Sequence, residues 1–410
     1  MSPYTPGQVA REIYGRDKIL EDIKRDLAFQ ISEPHLIGRI EVYSGPRGVG
    51  KTSLLRSAQS YSVSKGFETV WVTAGEGALL NSLIESLSRL TRSWKGVLGE
   101  KLRELLESVR IQIAGVSLGG LSGEETEITA PSRLLQEILT AAGRAAEQRG
   151  NGLIVFIDEI QAADAESLKA VAYAWQHLQS EAFDLPMAVF SAGLSHAQDV
   201  ITDAVSFAER FSYQNLGNLS GRDSMEALRR PAADKGVRWA EEALEMALDS
   251  ANGYPYFIQV IGDETWRSSG YPGAGTTIEA EQVRAALEGF NSMRNSFFRA
   301  RWQKATPAEM SFLQAMAAEG DEPVKRASIA RAMGKQSDGL GVARRSLLDK
   351  GLIDTAGHGY FNSVPLVLRD SYEKKSAPVW IQVSRFLGLN LLPWEEERTA
   401  VGRIGSSACM

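Results

Sequence analysis

The chain has 410 residues, too many for one small core, so two or three domains are expected. With 43% hydrophobic and 23% charged residues global disorder is excluded, and a net charge of −6 excludes a surface coated in positive charge while leaving room for a local basic face. The single cysteine, Cys409, excludes an internal disulfide framework and a cysteine-based zinc site. The first ten residues lack the apolar core of a signal peptide. No apolar run approaches the roughly 18 residues that span a bilayer. A cytoplasmic protein with no membrane partner is therefore expected.

Residues 1–217 read as strands alternating with helices. Apolar, β-rich runs lie at 39–44, 69–72, 153–157, 187–191 and 211–216, with helical patterns at 53–65, 78–94, 131–148 and 165–179. Strands separated by helices imply a mostly parallel sheet covered on both faces. Residues 110–130 read as a hairpin or an insertion in this core. From 218 to 304 the strand signals vanish, and helices are expected at 221–235, 240–250, 256–267 and 278–304. Ala251-Asn252-Gly253 breaks the second of these, and Pro255 opens the third. Residues 305–375 give helices at 307–319, 327–333 and 336–350, then a Gly357-His358-Gly359 turn between short apolar runs. Three helices and a hairpin are the parts of a winged helix-turn-helix. Residues 376–410 read as an extension whose polar end frays.

Gly45-Pro46-Arg47-Gly48-Val49-Gly50-Lys51-Thr52 fits G-x-x-x-x-G-K-[ST] at every fixed position, between an expected strand and a helix that takes in Ser53. Glycines let backbone N–H groups wrap phosphates, and the helix N-terminus adds its positive end. Lys51 is expected to reach the β- and γ-phosphates, and Thr52 to place its hydroxyl on Mg²⁺. The second motif is Leu153-Ile154-Val155-Phe156-Ile157-Asp158-Glu159, an apolar strand ending in two carboxylates. Such a strand end lies where open α/β sheets take ligands. Asp158 would hold Mg²⁺ through a water, and Glu159 would orient and polarise the attacking water. ATP and Mg²⁺ are the expected ligands.

On these motifs the chain resembles an AAA+ ATPase, in the branch joining origin-recognition-type initiators and STAND signalling ATPases, over residues 11–375. The resemblance implies an α/β P-loop core of the ASCE/AAA+ kind (1–217), an all-α helical lid (218–304) and a C-terminal winged helix-turn-helix (305–375). It also implies roles for further residues. Ile13-Tyr14-Gly15-Arg16 resembles the box that lies against adenine. Ser191 stands where the family places a small polar residue, usually Asn or Thr, near the γ-phosphate. Arg210, in Ala208-Glu209-Arg210-Phe211, resembles an arginine finger that serves a neighbouring subunit, so the active unit would be a homo-oligomer. Gly253-Tyr254-Pro255 resembles the G-x-P element with which STAND ATPases close the lid, through Pro255, where initiators usually carry a sensor arginine.

Between Lys325 and Lys350 seven basic residues face only Asp338 and Asp349. Lys335, Arg344, Arg345 and the wing-tip His358 are the candidates for contacting duplex DNA. Winged helices also serve as protein contacts. Two functions are therefore expected: an ATPase coupling Mg-ATP hydrolysis to a DNA-associated conformational or oligomeric switch, or a STAND-like switch with slow hydrolysis and a protein-contacting winged helix.

Overall fold

The computed structural model describes residues 1–92, 94, 99–100, 102–107, 130–319, 323–355 and 360–363. The expected insertion at 110–129, the wing-tip turn with His358 and the extension 376–410 lie outside these residues. The chain divides into two compact units, Met1–Met293 and Arg294–Met410. The division falls inside one long helix, whereas the sequence reading separated core, lid and C-terminal module at 217/218 and 304/305.

The first unit opens with an irregular segment, residues 1–16, and then helix α1 (Asp17–Ser32). Strands β1 (Ile40–Ser44), β2 (Glu68–Thr73), β3 (Leu153–Asp158), β4 (Met187–Gly193) and β5 (Phe211–Asn215) form one sheet in the order β2-β3-β4-β1-β5. Every pairing in it is parallel. Each crossover carries helical structure: α2 (Lys51–Ser64), α3 (Leu79–Thr91) and α4 (Pro131–Arg149), α5 (Ala165–Glu181), and α6 (Ala197–Ala204). All residues of β3 and β4 are buried, as continuous apolar central strands must be. The edge strands β2 and β5 are only partly covered.

Two cores sandwich the sheet. One gathers residues of α3, α4, α5 and α6, and the other gathers residues of α1 and α2. On the α1/α2 side Trp71, Phe156 and Phe190 stack across β2, β3 and β4 at centroid spacings of 6.0 and 5.8 Å. The Arg56 guanidinium caps the row 3.5 Å from the Trp71 ring centroid. Deleting Phe190 would cost about 3–5 kcal/mol, because it is 1% exposed and a cavity would remain.

The lid is helical, as expected, and joins the same unit. It comprises α7 (Gly221–Ala233), α8 (Glu241–Ala251), α9 (Pro255–Ser268) and the first part of α10 (Ala280–Trp302). Ser220 caps α7 by accepting the Asp223 N–H. Asn252 and Gly253 end α8 in left-handed conformations, and Pro255 starts α9. One parallel pair of two-residue strands, β6 (Arg238–Trp239) and β7 (Thr277–Ile278), was not expected. Two residues carry no periodicity to read.

The second unit contains α11 (Pro307–Glu319), α12 (Arg326–Ala332) and α13 (Gly341–Asp349). Strands β8 (Val324–Lys325), β9 (Ile353–Thr355) and β10 (Tyr360–Ser363) form an antiparallel sheet in the order β8-β10-β9. Its core centres on Phe312, Ile329, Leu340, Leu347 and Phe361. The third helix is shorter than expected, since residues 337–340 form a 3₁₀ turn before α13.

Candidate nucleotide site

Residues 45–50 leave the buried end of β1 and turn directly into α2. Gly48 and Gly50 have φ of 82° and 95°, a left-handed backbone that side chains rarely adopt. Gly45 lies against the Leu216 carbonyl, where a Cβ would sit 2.4 Å from the oxygen. No side chain caps the N-terminus of α2, so its N–H groups and dipole face the loop.

Lys51 is 7% exposed and donates two 2.8 Å hydrogen bonds, to the carbonyls of Gly45 and Pro46. An ammonium held over the loop's own carbonyls is a cation placed for phosphate oxygens. Thr52 donates from Oγ1 to Oδ2 of Asp158 at 2.8 Å. This bond joins the two motifs, which are 106 positions apart in the chain. Asp158 Oδ1 accepts the Glu159 N–H at 3.0 Å. Burial pushes the Asp158 carboxyl above its ordinary range; the Thr52 hydroxyl, the Glu159 N–H and the Lys51 charge oppose the rise, and the Glu159 charge adds to it. Among the described residues no group of three or more His, Cys, Asp or Glu side chains could hold a metal. The Thr52 hydroxyl and Asp158 carboxylate fit a different use: two hard oxygen donors for Mg²⁺, which completes its shell with water and phosphate oxygens.

Glu159 is half-buried, with φ 54°, and opens a 3₁₀ turn. Its Oε2 accepts a 2.6 Å bond from Gln161 Nε2. Gln161 was not singled out from the sequence, and no spacing rule points to it. Tyr254 was also passed over, although it lies inside the G-x-P element. Its hydroxyl donates to the Arg47 carbonyl at the loop apex, and a Cβ on Gly48 would meet the Tyr254 ring and hydroxyl at 3.3 Å. Pro255, the residue expected to act, supplies the first turn of α9.

The N-terminal box packs between the phosphate loop and the segment around α7. Arg16 donates to the carbonyls of Gly217, Val49 and Gly15, so it braces the loop against the start of the lid. Burial lowers its pKa, and Asp223 partly restores it. Tyr14 donates to Glu12 Oε2 at 2.7 Å and lines a pocket with Ala10, Pro231, Asp234 and Gln259. Ala10 donates its N–H to Ser53 Oγ at 3.0 Å, which sets that pocket beside the start of α2. Gly15 packs on Asp223, at the start of α7.

Ser191, the expected sensor residue, lies within β4. It is fully buried, and its hydroxyl donates to the Glu41 carbonyl at 2.8 Å. It pairs with Val42, two residues before the strand end at Ser44 and Gly193. On the other side it pairs with Ile157, the residue before Asp158. Arg210 is exposed beside Phe207, in a 3₁₀ turn immediately before β5. Phe211 pairs with Ile40 and Asn215 with Ser44, so Arg210 stands at the opposite end of the sheet from the loop. It cannot serve its own site.

In the second unit Arg345 and Lys335 are exposed. Arg344 is half-buried with its guanidinium 5.5 Å from the Phe361 ring centroid. It takes the place of the apolar residue that this turn of α13 would otherwise need. Two other basic residues are committed inward: Arg326 donates to the Ser337 carbonyl, and Lys350 pairs with Glu309 at 2.6 Å.

Residues 12–190 match the family model described as AAA ATPase domain. Residues 295–366 match a family described as a domain of unknown function, DUF8462. No curated protein matches the chain. Among solved structures, the chain is similar to a Walker-type ATPase of Pyrococcus abyssi, at 16% identity and a TM-score of 0.56, covering 94% of this chain and 99% of that one. It is also similar to the ORC2 protein of Aeropyrum pernix in its ADP form, at 14% identity and a TM-score of 0.53, covering 94% and 97%. No described helix is long and apolar enough to cross a membrane. The five-stranded parallel order, the joined loop and carboxylate, and the match over residues 12–190 give the first unit the AAA+ P-loop fold.

Proposed function

We propose that the protein binds and hydrolyses Mg-ATP at this loop and couples the cycle to a DNA-associated switch. The observation that supports the reading is the Thr52–Asp158 bond, which joins the phosphate loop's helix to the carboxylate end of β3. The loop N–H groups and Lys51 would bind the phosphates, and the pocket lined by Tyr14 would take the base. Magnesium, held by Thr52 and Asp158, would neutralise charge on the phosphate oxygens. Glu159 accepts a proton from water as the water oxygen bonds to the γ-phosphorus. The bond from that phosphorus to the bridging oxygen breaks, giving ADP and phosphate. Arg210, at the far end of the sheet, would act on the nucleotide of a neighbouring copy. The α11–α13 unit with its three-stranded sheet is read as a winged helix, with Arg331, Lys335 and Arg345 toward phosphates. The A. pernix neighbour's ADP form supports nucleotide binding in this fold.

A STAND-like switch is the second reading, and Tyr254 favours it. Its hydroxyl already holds the lid on the loop, the arrangement of a latch that releases nucleotide slowly. Two measurements separate the readings. Labelled duplex DNA is titrated with full-length protein at several salt concentrations, with and without ATP. Salt-sensitive binding is expected, and its absence in both states removes the DNA reading. Specific ATPase activity should rise with protein concentration if Arg210 is supplied by a second copy. Near-background turnover at every concentration favours the latch.

A further inference from the structure

The acidic pair ends β3, and the chain then folds back on itself. Glu159 takes a left-handed φ of 54°, and its carbonyl accepts the Ala162 N–H at 2.8 Å. This tight turn brings the Gln161 side chain back beside the Glu159 carboxylate. Both ends of the Gln161 amide are used. Nε2 donates to Glu159 Oε2 at 2.6 Å, and Oε1 accepts the Leu194 N–H at 2.8 Å. A backbone N–H can only donate, so Leu194 fixes which end of the amide is oxygen and leaves the NH₂ for Glu159.

Leu194 is the residue after β4, and it is 3% exposed. Its neighbour Gly193 accepts the Gly45 N–H at 3.2 Å, at the first residue of the phosphate loop. Position 193 also has to be glycine for Gln161 to approach. A Cβ there would lie 2.9 Å from Gln161 Oε1 and 2.7 Å from Ala197 Cβ. A continuous path therefore runs from the Glu159 carboxylate through one amide to the end of β4, and from there to the loop.

We propose that Gln161 is the positioning residue for Glu159: its amide fixes the carboxylate that receives the water proton and ties it to the strand end that touches the phosphate loop. This rests on the reading of Glu159 given above. The amide's two hydrogen bonds go to Glu159 and Leu194 and not to the loop or Lys51, so its loss should leave nucleotide affinity alone. A carboxylate without its donor rotates about the glutamate side-chain torsions, and misplacement of a proton acceptor by about 1 Å can cost on the order of a hundredfold in rate.

The test is a double-mutant cycle on full-length protein, with nucleotide affinity and steady-state hydrolysis measured for each variant. Gln161→Leu keeps the size and removes both hydrogen bonds. Its turnover at saturating Mg-ATP should fall roughly tenfold or more, with ATP affinity within about twofold of wild type. Gln161→Glu keeps an acceptor for Leu194 but places a second carboxylate against Glu159, so its turnover should fall further. Gln161→Leu combined with Glu159→Gln should be no slower than Glu159→Gln alone, because the two residues act as one unit. Multiplicative losses, or a loss of affinity matching the loss of turnover, would assign Gln161 to general structure and overturn the proposal. If Glu159→Gln abolishes turnover and Gln161→Leu keeps the wild-type rate, only this proposal fails. If Glu159→Gln itself turns over normally, the reading of Glu159 fails with it.

Discussion

Thr52→Val tests the junction of the two motifs before any nucleotide is added. Valine keeps the branched shape at the second residue of α2 and removes only the hydroxyl. The lost bond is 2.8 Å long and ends on a carboxylate that is 6% exposed. A hydrogen bond to a charged group contributes about 1.5–3 kcal/mol, so about 2 kcal/mol of stability should be lost near pH 7.5. That is a roughly 30-fold change in the folded-to-unfolded ratio and a melting shift of about 3 °C for a unit of this size. The loss should depend on pH. Burial raises the Asp158 pKa above its ordinary value of 3.8, so the ionised form is disfavoured by folding. Its destabilising effect is greatest at high pH and fades as pH falls through the raised value. Thr52 relieves part of that cost, and only while Asp158 is charged. The gap between wild type and Thr52→Val should therefore narrow as pH falls from 7.5 toward the ordinary carboxylate range. The assay is urea unfolding of the full chain without nucleotide, read by exchange of β3 amides. A gap that is constant or widens on acidification refutes the reasoning.

Three further outcomes are expected. Tyr4→Phe removes the donor to the Leu228 carbonyl and leaves the Trp239 indole N–H, now 3.1 Å from the Tyr4 oxygen, without its acceptor. The lid should lose about 1–3 kcal/mol, measured by hydrogen exchange in α7 and α9. In the second unit, burial raises the Glu309 carboxyl, but bonds from Lys350, Ser346 and the Thr306 N–H outweigh it and hold the pKa below 4.5. That stability is present above pH 4.5 and lost as pH falls through the lowered value, so α11 and α13 amides should exchange faster there; Lys350→Met should weaken this acid sensitivity, since the Ser346 and Thr306 bonds remain, at a cost of about 2 kcal/mol at neutral pH. Arg210→Ala should bind ATP as wild type does yet hydrolyse it slowly. Mixing it with Lys51→Ala protein should restore turnover, because one copy supplies the intact site and the other the arginine. No recovery at any ratio would remove the role of Arg210 between copies.

Much of the core could be read because its signals are local. β3 and β4 are buried on both faces, so their continuous apolar runs mark them without reference to the rest of the chain. The phosphate loop is contiguous, and its glycines answer to its own backbone. What escaped the reading depends on contacts between distant positions. Tyr4 docks 224 and 235 positions away, on Leu228 and Trp239, in a segment read only for its lack of an apolar core. Gln161 meets Glu159 through a turn, and Leu194 through the order in which β3 and β4 pair. For Ser191 the resemblance points to its position, but not to its register with Val42 and Ile157 or to its bond to the Glu41 carbonyl. Arg16 matched a box assigned to the base, and its bonds to the Val49 and Gly217 carbonyls, across 33 and 201 positions, are not part of that pattern. Tyr254 occupies the variable position of the G-x-P element, to which the pattern assigns no role, and its partner Arg47 lies 207 positions away.

The central claim is one Mg-ATP site built from the loop and the β3 carboxylates, and equilibrium titration of ATP with and without Mg²⁺ tests it most directly. Wild-type protein should bind one nucleotide per chain, more tightly with Mg²⁺. Lys51→Ala should lose binding, and Asp158→Asn should lose the Mg²⁺ enhancement while still binding free ATP. Mg-ATP affinity unchanged in both variants would contradict the account.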